Sequence, residues 1–310
     1  MDLSVVVPTL NGRDVLGASL DALAAHAPDA EVVVVNGPSV DGTSGMVRDH
    51  DAADVLLEVS ERNLNASRNA GIAAATGDVV ALVGQDSRIR DDWVGAVADA
   101  LAAGADAVTG PVHRRVEGGV TTESVEETSI CGCDVRYFDG GNVAFTREAI
   151  DALDGFDEYL QTGAARDAAH RLAGMDRDVD WGADAVVLRE EKDDIRHRLP
   201  EDADQSTWGL KYRSLAYRLV KNYGASARVM ARIFRHALGD AVSVGADVVR
   251  GEAKLTEWAA AGRAVVPNIW TGSQDGISAR MADRTSRRNP NGVSARMDRT
   301  MVRHDCNVRE

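Results

Sequence analysis

Residues 3–7, LSVVV, form an unbroken apolar run that stops at Pro8. So apolar and β-branched a segment reads as a strand buried on both faces, which requires a sheet covered by helices on either side. Val15, Leu16, Leu20 and Leu23 then recur at helical spacing, and EVVVV at 31–35 repeats the strand pattern until Asn36-Gly37-Pro38-Ser39 breaks it. Outward from there the alternation continues. Residues 54–59 read as a strand, 65–75 as an Ala-rich helix and 78–83 (DVVALV) as a fourth strand. Trp93, Val94, Val97 and Leu101 mark another helix, and 106–112 a further strand. Strands alternating with helices predict an α/β fold with a mostly parallel central sheet flanked by helices.

Such sheets bind ligands beyond the carboxyl ends of their strands. The segments after residues 7, 35, 58 and 83 are therefore the candidate site: Thr9-Leu10-Asn11-Gly12, Asn36 to Thr43, Glu61 to Asn69, and Gly84-Gln85-Asp86-Ser87. No GxGxxG follows the first strand and no GxxxxGK[ST] occurs, so neither glycine phosphate cradle is present. A diphosphate would then need a carboxylate-held Mg2+ or Mn2+, both of which prefer oxygen ligands. Asp86, directly after the fourth strand, is the candidate ligand.

The chain has 310 residues and a net charge of −14. It carries 34 Asp against 15 Glu, and 31 Arg against only 4 Lys. Acid excess with almost no lysine suits a halophilic protein, whose self-repulsion is screened by salt; a GC-rich genome is the other source of such a bias. Apolar runs are too short to span a membrane, and Met1 leads straight into a strand, which predicts no signal peptide. Cys131, Cys133 and Cys306 make no disulfide framework and no CxxC pair.

Charge divides near residue 200. Residues 1–200 hold 17 bases and 37 acids, while 201–310 hold 18 bases and 12 acids. Lys211, Arg218, Lys221, Arg228, Arg232 and Arg235 fall on one helical face, with Trp208, Tyr212, Tyr217 and Tyr223 interleaved. The expectation is a basic amphipathic arm over 201–270. Residues 205–238 of it would either touch an anionic membrane surface or pack on the acidic half. From 271 to 310 the chain is polar and Arg-rich, with GISARMADRT at 276–285 echoed by GVSARMDRT at 292–300, and reads as a flexible tail. The global acidity and the absence of a reading sheet of aromatics exclude a nucleic-acid partner.

Four stretches follow in order: SVVVPTLNG at 4–12, VVVVNGPSVDGT at 32–43, NLNASRNAGIAAATGDVVALVGQDS at 63–87 and DGGNVAFTREAIDALDGFDE at 139–158. Together they resemble the family 2 inverting glycosyltransferases with the GT-A nucleotide-sugar-binding fold, over residues 1–195, which implies a GT-A domain over 1–200. The composition and ARDAAHRLAG at 165–174 further resemble haloarchaeal members that act in lipid-linked glycan assembly for protein N-glycosylation.

The resemblance implies roles. Thr9 and Asn11 would line the nucleoside pocket, Asn36 would stand where the family has a base-contacting Asp, and Arg68 would reach the nucleotide and its diphosphate. Gln85 and Asp86 would form a Gln-Asp version of the family's metal motif, with Gly84 in place of its first carboxylate. Arg189 falls where some members place a metal-binding His, and could neutralise phosphate directly. Gly140, Gly141 and Asn142 would lie along the sugar and acceptor. Asp167 matches the catalytic base, although Arg166 stands where an acid usually precedes it; Asp157 and Glu158 are rivals.

The reaction expected is inverting transfer from a UDP-, GDP- or dTDP-sugar to a hydroxyl of a polyprenyl(dolichol)-phosphate-linked glycan, assisted by Mg2+ or Mn2+. The setting expected is cytoplasmic, peripheral on the cytoplasmic membrane face. The alternatives are a polysaccharide or bare polyprenyl-phosphate transferase, and a nucleotide-sugar-binding protein without catalysis.

Overall fold

A computed structural model describes residues 1–116, 119–122, 124–190, 203–250, 255–283 and 288–306. The expected boundary at residue 200 lies outside the described residues, as do residues 284–285 of the first tail repeat.

The first two-thirds alternate as expected: β1 (Leu3–Thr9), α1 (Arg13–His26), β2 (Glu31–Asn36), α2 (Thr43–Arg48), β3 (Val55–Val59), α3 (Leu64–Ala74), β4 (Val79–Val83), β5 (Ser87–Ile89) and α4 (Trp93–Ala102). The strand expected over 106–112 is two, β6 (Ala107–Thr109) and β7 (Val112–Val116), split at Gly110-Pro111 because proline cannot donate to a ladder. Next come β8 (Gly119–Thr122), β9 (Glu127–Ile130), β10 (Cys133–Arg136), β11 (Asn142–Thr146), α5 (Arg147–Leu153), α6 (Ala164–Ala173), β12 (Val179–Trp181) and β13 (Val187–Glu190). The C-terminal part holds α7 (Ala203–Tyr223), α8 (Ala227–Arg250), α9 (Leu255–Ala282) and β14 (Thr300–Asp305).

Among the described residues the main sheet runs β12-β6-β11-β4-β1-β2-β3-β14. The β1, β2, β3 and β4 pairings are parallel, whereas β11 is antiparallel to both neighbours. Both faces are covered, as the apolar runs require. Val6, Val33, Val35 and Leu57 point into one core with Ile72 and Phe145, while Val5, Val7, Val32 and Val34 point into the other with Leu16, Leu20 and Leu23. A side chain at Gly71 of α3 would meet Val6 at 2.2 Å, so glycine lets this helix lie close on the sheet. A smaller sheet runs β5-β13-β7-β8, and its strand β13 carries Arg189 to the cavity beyond the end of β4.

The C-terminal arm departs from expectation. The basic stretch is two helices, broken at Gly224 with φ +78. Its cations divide: Lys221 is wholly buried against Asp157 and Asp167, at 2.7 Å from each, and Arg232 donates to the Ser129 carbonyl and the Thr128 hydroxyl, whereas Lys211, paired with Asp240 of α8, stays half exposed and Arg228 and Arg235 are exposed. Of the two readings, packing on the acidic half is observed for Lys221, and Arg232 also contacts that half. Gly272 and Gly276, one turn apart on α9, set their backbone against the Arg213 and Tyr217 carbonyls of α7, where any Cβ would collide. Arg280 of α9 donates to the Lys221 and Asn222 carbonyls that end α7.

The expected flexible tail is also corrected: residues 271–282 continue α9, and β14 adds an antiparallel edge strand to β3. That edge would otherwise expose unpaired backbone groups. No helix among the described residues is long and apolar enough to cross a membrane.

Candidate active site

Two adjoining cavities open beyond the carboxyl ends of β1, β2 and β4. The first, about 400 Å³, is lined by Thr9, Arg68, Gln85, Asp86, Asp139 and Arg189. The second, about 410 Å³, is lined by Glu126, Tyr137, Ala165, Arg166 and Trp181. Leu64, Arg68, Asp139 and Gly140 border both.

The first cavity is built by short strand-end loops. Thr9 donates its hydroxyl to the Gln85 side-chain oxygen at 2.7 Å, and that oxygen also accepts from the Leu10 N–H at 3.0 Å. Gln85 thus ties the first loop to the fourth and leaves Asp86 facing the cavity. Gly84 is required here: a Cβ would meet Ser87 Oγ at 2.8 Å and Asp86 Oδ1 at 3.1 Å, with Arg189 Nη2 at 3.5 Å. The guanidinium of Arg189 occupies the room that a side chain at residue 84 would take. It lies 3.3 Å from Asp86 and 3.2 Å from Asp139, bridging the two carboxylates. Burial alone would raise the Asp139 carboxyl, but Arg189 outweighs it and holds the group below the ordinary carboxylate value.

Arg68 rises from α3, whose start is capped by the Asn63 side chain. It donates to Asn65 Oδ1 at 3.0 Å and to the Gly140 carbonyl at 2.9 Å. No carboxylate lies within ion-pair distance of it among the described residues, and burial lowers its pKa to about 10. A desolvated cation with Asp139 nearby but no direct ion pair favours an anionic ligand. Gly140 is glycine because a Cβ would meet Arg68 Nη2 at 2.6 Å.

Several expected site residues serve elsewhere. Asn11 adopts φ 48 and accepts from the Val40 N–H, pinning one loop to another. Asn36 has its amide committed to Ser44 and Ser39 and is 2% exposed, so it builds the loop and does not face the cavity. Asn142 is equally buried, donating to the Gly110 and Ala185 carbonyls and accepting from Trp93. Gly140 and Gly141 do line the first cavity.

Asp167 is the largest departure. It is 0% exposed, accepting from Arg171 at 2.9 Å, Lys221 at 2.7 Å and Asn222 at 2.9 Å. Asp157 is also fully buried, bound to Lys221 and Tyr217. Glu158 is held by Arg296, Arg299 and Asn69. None of the three carboxylates lines either cavity. The α6 residues that do are Ala164, Ala165 and Arg166, the first turn just before Asp167. The residues that sequence reasoning missed are Asp139 and Glu126. Asp139 had a signal, since it opens the quoted DGGN stretch, whereas Glu126 stands in an unremarked segment.

The cavity suits a divalent cation. Mg2+ or Mn2+ takes one or two carboxylates and completes its shell with substrate phosphates and water, and Asp86 and Asp139 offer two oxygen donors around one cationic position, filled here by Arg189. Three or more His, Cys, Asp or Glu in ligating geometry are not found among the described residues. Any such ion would therefore depend on substrate oxygens.

Residues 4–155 match the sequence model of glycosyl transferase family 2. The glucosyl-dolichyl phosphate glucuronosyltransferase of Haloferax volcanii is 26% identical over 268 residues, spanning 77% of this chain and 80% of the relative. Glycosyltransferase AglE of the same organism is 28% identical over 127 residues, 38% of this chain and 42% of its own. Among solved structures, S. aureus TarS 1–349 in complex with UDP-GlcNAc superposes with TM-score 0.63 at 16% identity, covering 93% of this chain and 88% of that one. The mannosyltransferase PcManGT from Pyrobaculum calidifontis, in complex with GDP-Man and Mn2+, gives TM-score 0.54 at 20% identity, covering 91% and 88%.

Proposed function

We propose that the chain is a family 2 glycosyl transferase, whose sequence model matches residues 4–155, and that it moves a sugar, with inversion, from a nucleotide diphosphate sugar to a hydroxyl of a polyprenyl- or dolichyl-phosphate-linked glycan. The observation that carries this reading is Arg68: a desolvated cation without a carboxylate partner, at the border of two cavities above the strand ends. One cavity takes the nucleotide diphosphate and the other the acceptor. Trp181 and Tyr137 give the second cavity aromatic surface, which suits sugar rings. The Haloferax relative, named for a dolichyl phosphate substrate, supports the lipid-linked acceptor.

Charge develops on the diphosphate as its bond to the sugar breaks. Arg68 is placed to stabilise that charge, and Arg189 can turn from Asp86 and Asp139 towards phosphate oxygens. A divalent ion held by Asp86, with Asp139 beside it, would supply Lewis-acid stabilisation of the same leaving group. Gln85 keeps Asp86 oriented through Thr9. Nucleotide sugars should raise the melting temperature, one nucleotide more than others. Arg68→Leu should weaken that donor's binding at least tenfold in a thermal or calorimetric titration. If no UDP-, GDP- or dTDP-sugar stabilises the protein, or if the variant binds as tightly as the parent, the assignment of the first cavity fails.

Peripheral contact with the cytoplasmic membrane face is part of the proposal, but through different side chains from those expected. Phe234, Leu238 and Val242 follow one another by four residues on α8 and are 48%, 67% and 64% exposed. Flotation with anionic vesicles tests this: Phe234→Glu with Leu238→Glu should leave the protein in the dense fraction, and unchanged flotation would remove this surface from the account.

A further inference from the structure

Inverting transfer needs a carboxylate on the acceptor side to take the hydroxyl proton. The three carboxylates nearest the family pattern are sequestered, so the base must come from another element. Among the described residues lining the acceptor cavity, the carboxylates are Asp139 and Glu126. Asp139 also borders the donor cavity, and both its oxygens are engaged: Oδ1 accepts from the Gly141 N–H at 2.7 Å and from Arg189, and Oδ2 accepts from Arg189 at 3.3 Å. It shares Arg189 with Asp86, and its side chain is 20% exposed against 55% for Glu126, so it is the less open of the two carboxylates.

Glu126 lines the acceptor cavity and not the donor cavity. It directly precedes β9 and is reached by Arg166 of α6 in a two-pronged contact, Nη1 to Oε1 at 2.7 Å and Nη2 to Oε2 at 2.6 Å. Arg166 itself lies 4.5 Å over the Tyr137 ring, which fixes the guanidinium plane. The glutamate side chain remains 55% exposed, and each oxygen has a second lone pair beyond the one Arg166 takes. Arg166 is the residue that stands where an acid precedes the base in the family pattern. A cation there draws a carboxylate across from the facing segment.

From this geometry we infer that Glu126 is the general base of the transfer, with Arg166 as its positioning residue; the inference rests on the transferase reading above. The acceptor hydroxyl gives its proton to a Glu126 oxygen as that hydroxyl oxygen forms a bond to the sugar's anomeric carbon. The bond from that carbon to the diphosphate oxygen breaks, and its electron pair leaves with the nucleoside diphosphate. The proton passes from Glu126 to water. The charged groups around Glu126 are Arg166 from α6 and Arg218 from α7, whose guanidinium lies against Gly163, with Tyr137 beneath Arg166.

The test uses the full chain, a nucleotide-sugar donor identified by thermal shift and a glycosyl polyprenyl phosphate. Glu126→Gln should lower kcat by about 10²- to 10⁴-fold, leave the donor KM within about threefold, and erase the acidic limb of the pH–rate profile. Glu126→Asp should restore part of the rate together with that limb. Arg166→Gln should lower kcat while keeping measurable transfer and an unchanged donor KM, as expected when the base remains but loses the contact that positions it. A Glu126→Gln enzyme with near-parental kcat and an unchanged limb overturns the inference. If the parental enzyme binds donors but transfers nothing to any acceptor, it is the transferase reading that fails.

Discussion

Replacing Lys221 by Met should cost the protein about 3–5 kcal/mol of stability and lower Tm by on the order of 10 °C. The lysine ammonium is fully buried between Asp157 and Asp167, and all three side chains are 0% exposed. Taking charges out of water is expensive, and the pair energies offset that cost only while every partner is present. Met matches the Lys stem as far as Cε but leaves two desolvated carboxylates to Arg171, Tyr217, Asn222 and Asn291.

The pH dependence gives the effect a signature. Burial would raise the Asp167 carboxyl, but Lys221 and Arg171 outweigh burial and hold it below its ordinary value of 3.8. A depressed carboxylate contributes stability above its unfolded pKa and loses it as pH falls through the folded one. Without Lys221 the balance tips to burial, and one carboxylate takes up a proton on folding. The deficit of Lys221→Met should therefore be largest near neutral pH and shrink towards pH 4.5 in thermal melts. A deficit that stays constant over that range would show that lost packing, not charge, is responsible. The network ties α7 to α6 and the segment before it, so the same variant should loosen the C-terminal helices from the catalytic part.

The second large effect is at Asp86. Asp86→Ala should reduce transfer by at least about 10²-fold, the scale of losing one transition-state charge stabiliser. The reason lies in the first cavity: Asp86 is oriented by the loop that Gln85 ties to Thr9, and it shares Arg189 with Asp139. Parental turnover should fall on adding a chelator and return with Mn2+ or Mg2+, while Asp86→Ala should respond to neither. Equal parental rates with and without chelator would mean that Arg68 and Arg189 balance the diphosphate by themselves. Arg189→His should then lose activity and gain no metal response.

Much of this was legible in the chain. LSVVV, EVVVV and DVVALV are buried on both faces, and their apolar runs say so without help. Arg68, Gln85 and Asp86 follow the carboxyl ends of strands, where the topology alone directs a ligand. What failed has a common cause. Asp167 sits in the first turn of α6, where a carboxylate is ordinary, and nothing local reveals that Lys221 of α7 reaches it. Lys221 and Arg218 lie on a basic helical face that reads as a surface until the acids it meets are known. β14 looks polar because it is a sheet edge, and its partner β3 lies near the other end of the chain. Glu126 gained its place only when Arg166, an apparent defect in the motif, proved to hold it.

Arg, not Lys, forms most of these inward contacts, and Lys221 is one of four lysines in the chain. The acid excess that suits high salt therefore coexists with a desolvated network that salt screens little.

The most direct test of the transferase reading is a coupled assay with the stabilising nucleotide sugar and a glycosyl polyprenyl phosphate. The account predicts one nucleoside diphosphate released for each acceptor molecule extended by one sugar, with the anomeric configuration inverted in the product. Tight donor binding with neither nucleoside diphosphate release nor acceptor extension would contradict it and leave a nucleotide-sugar-binding protein.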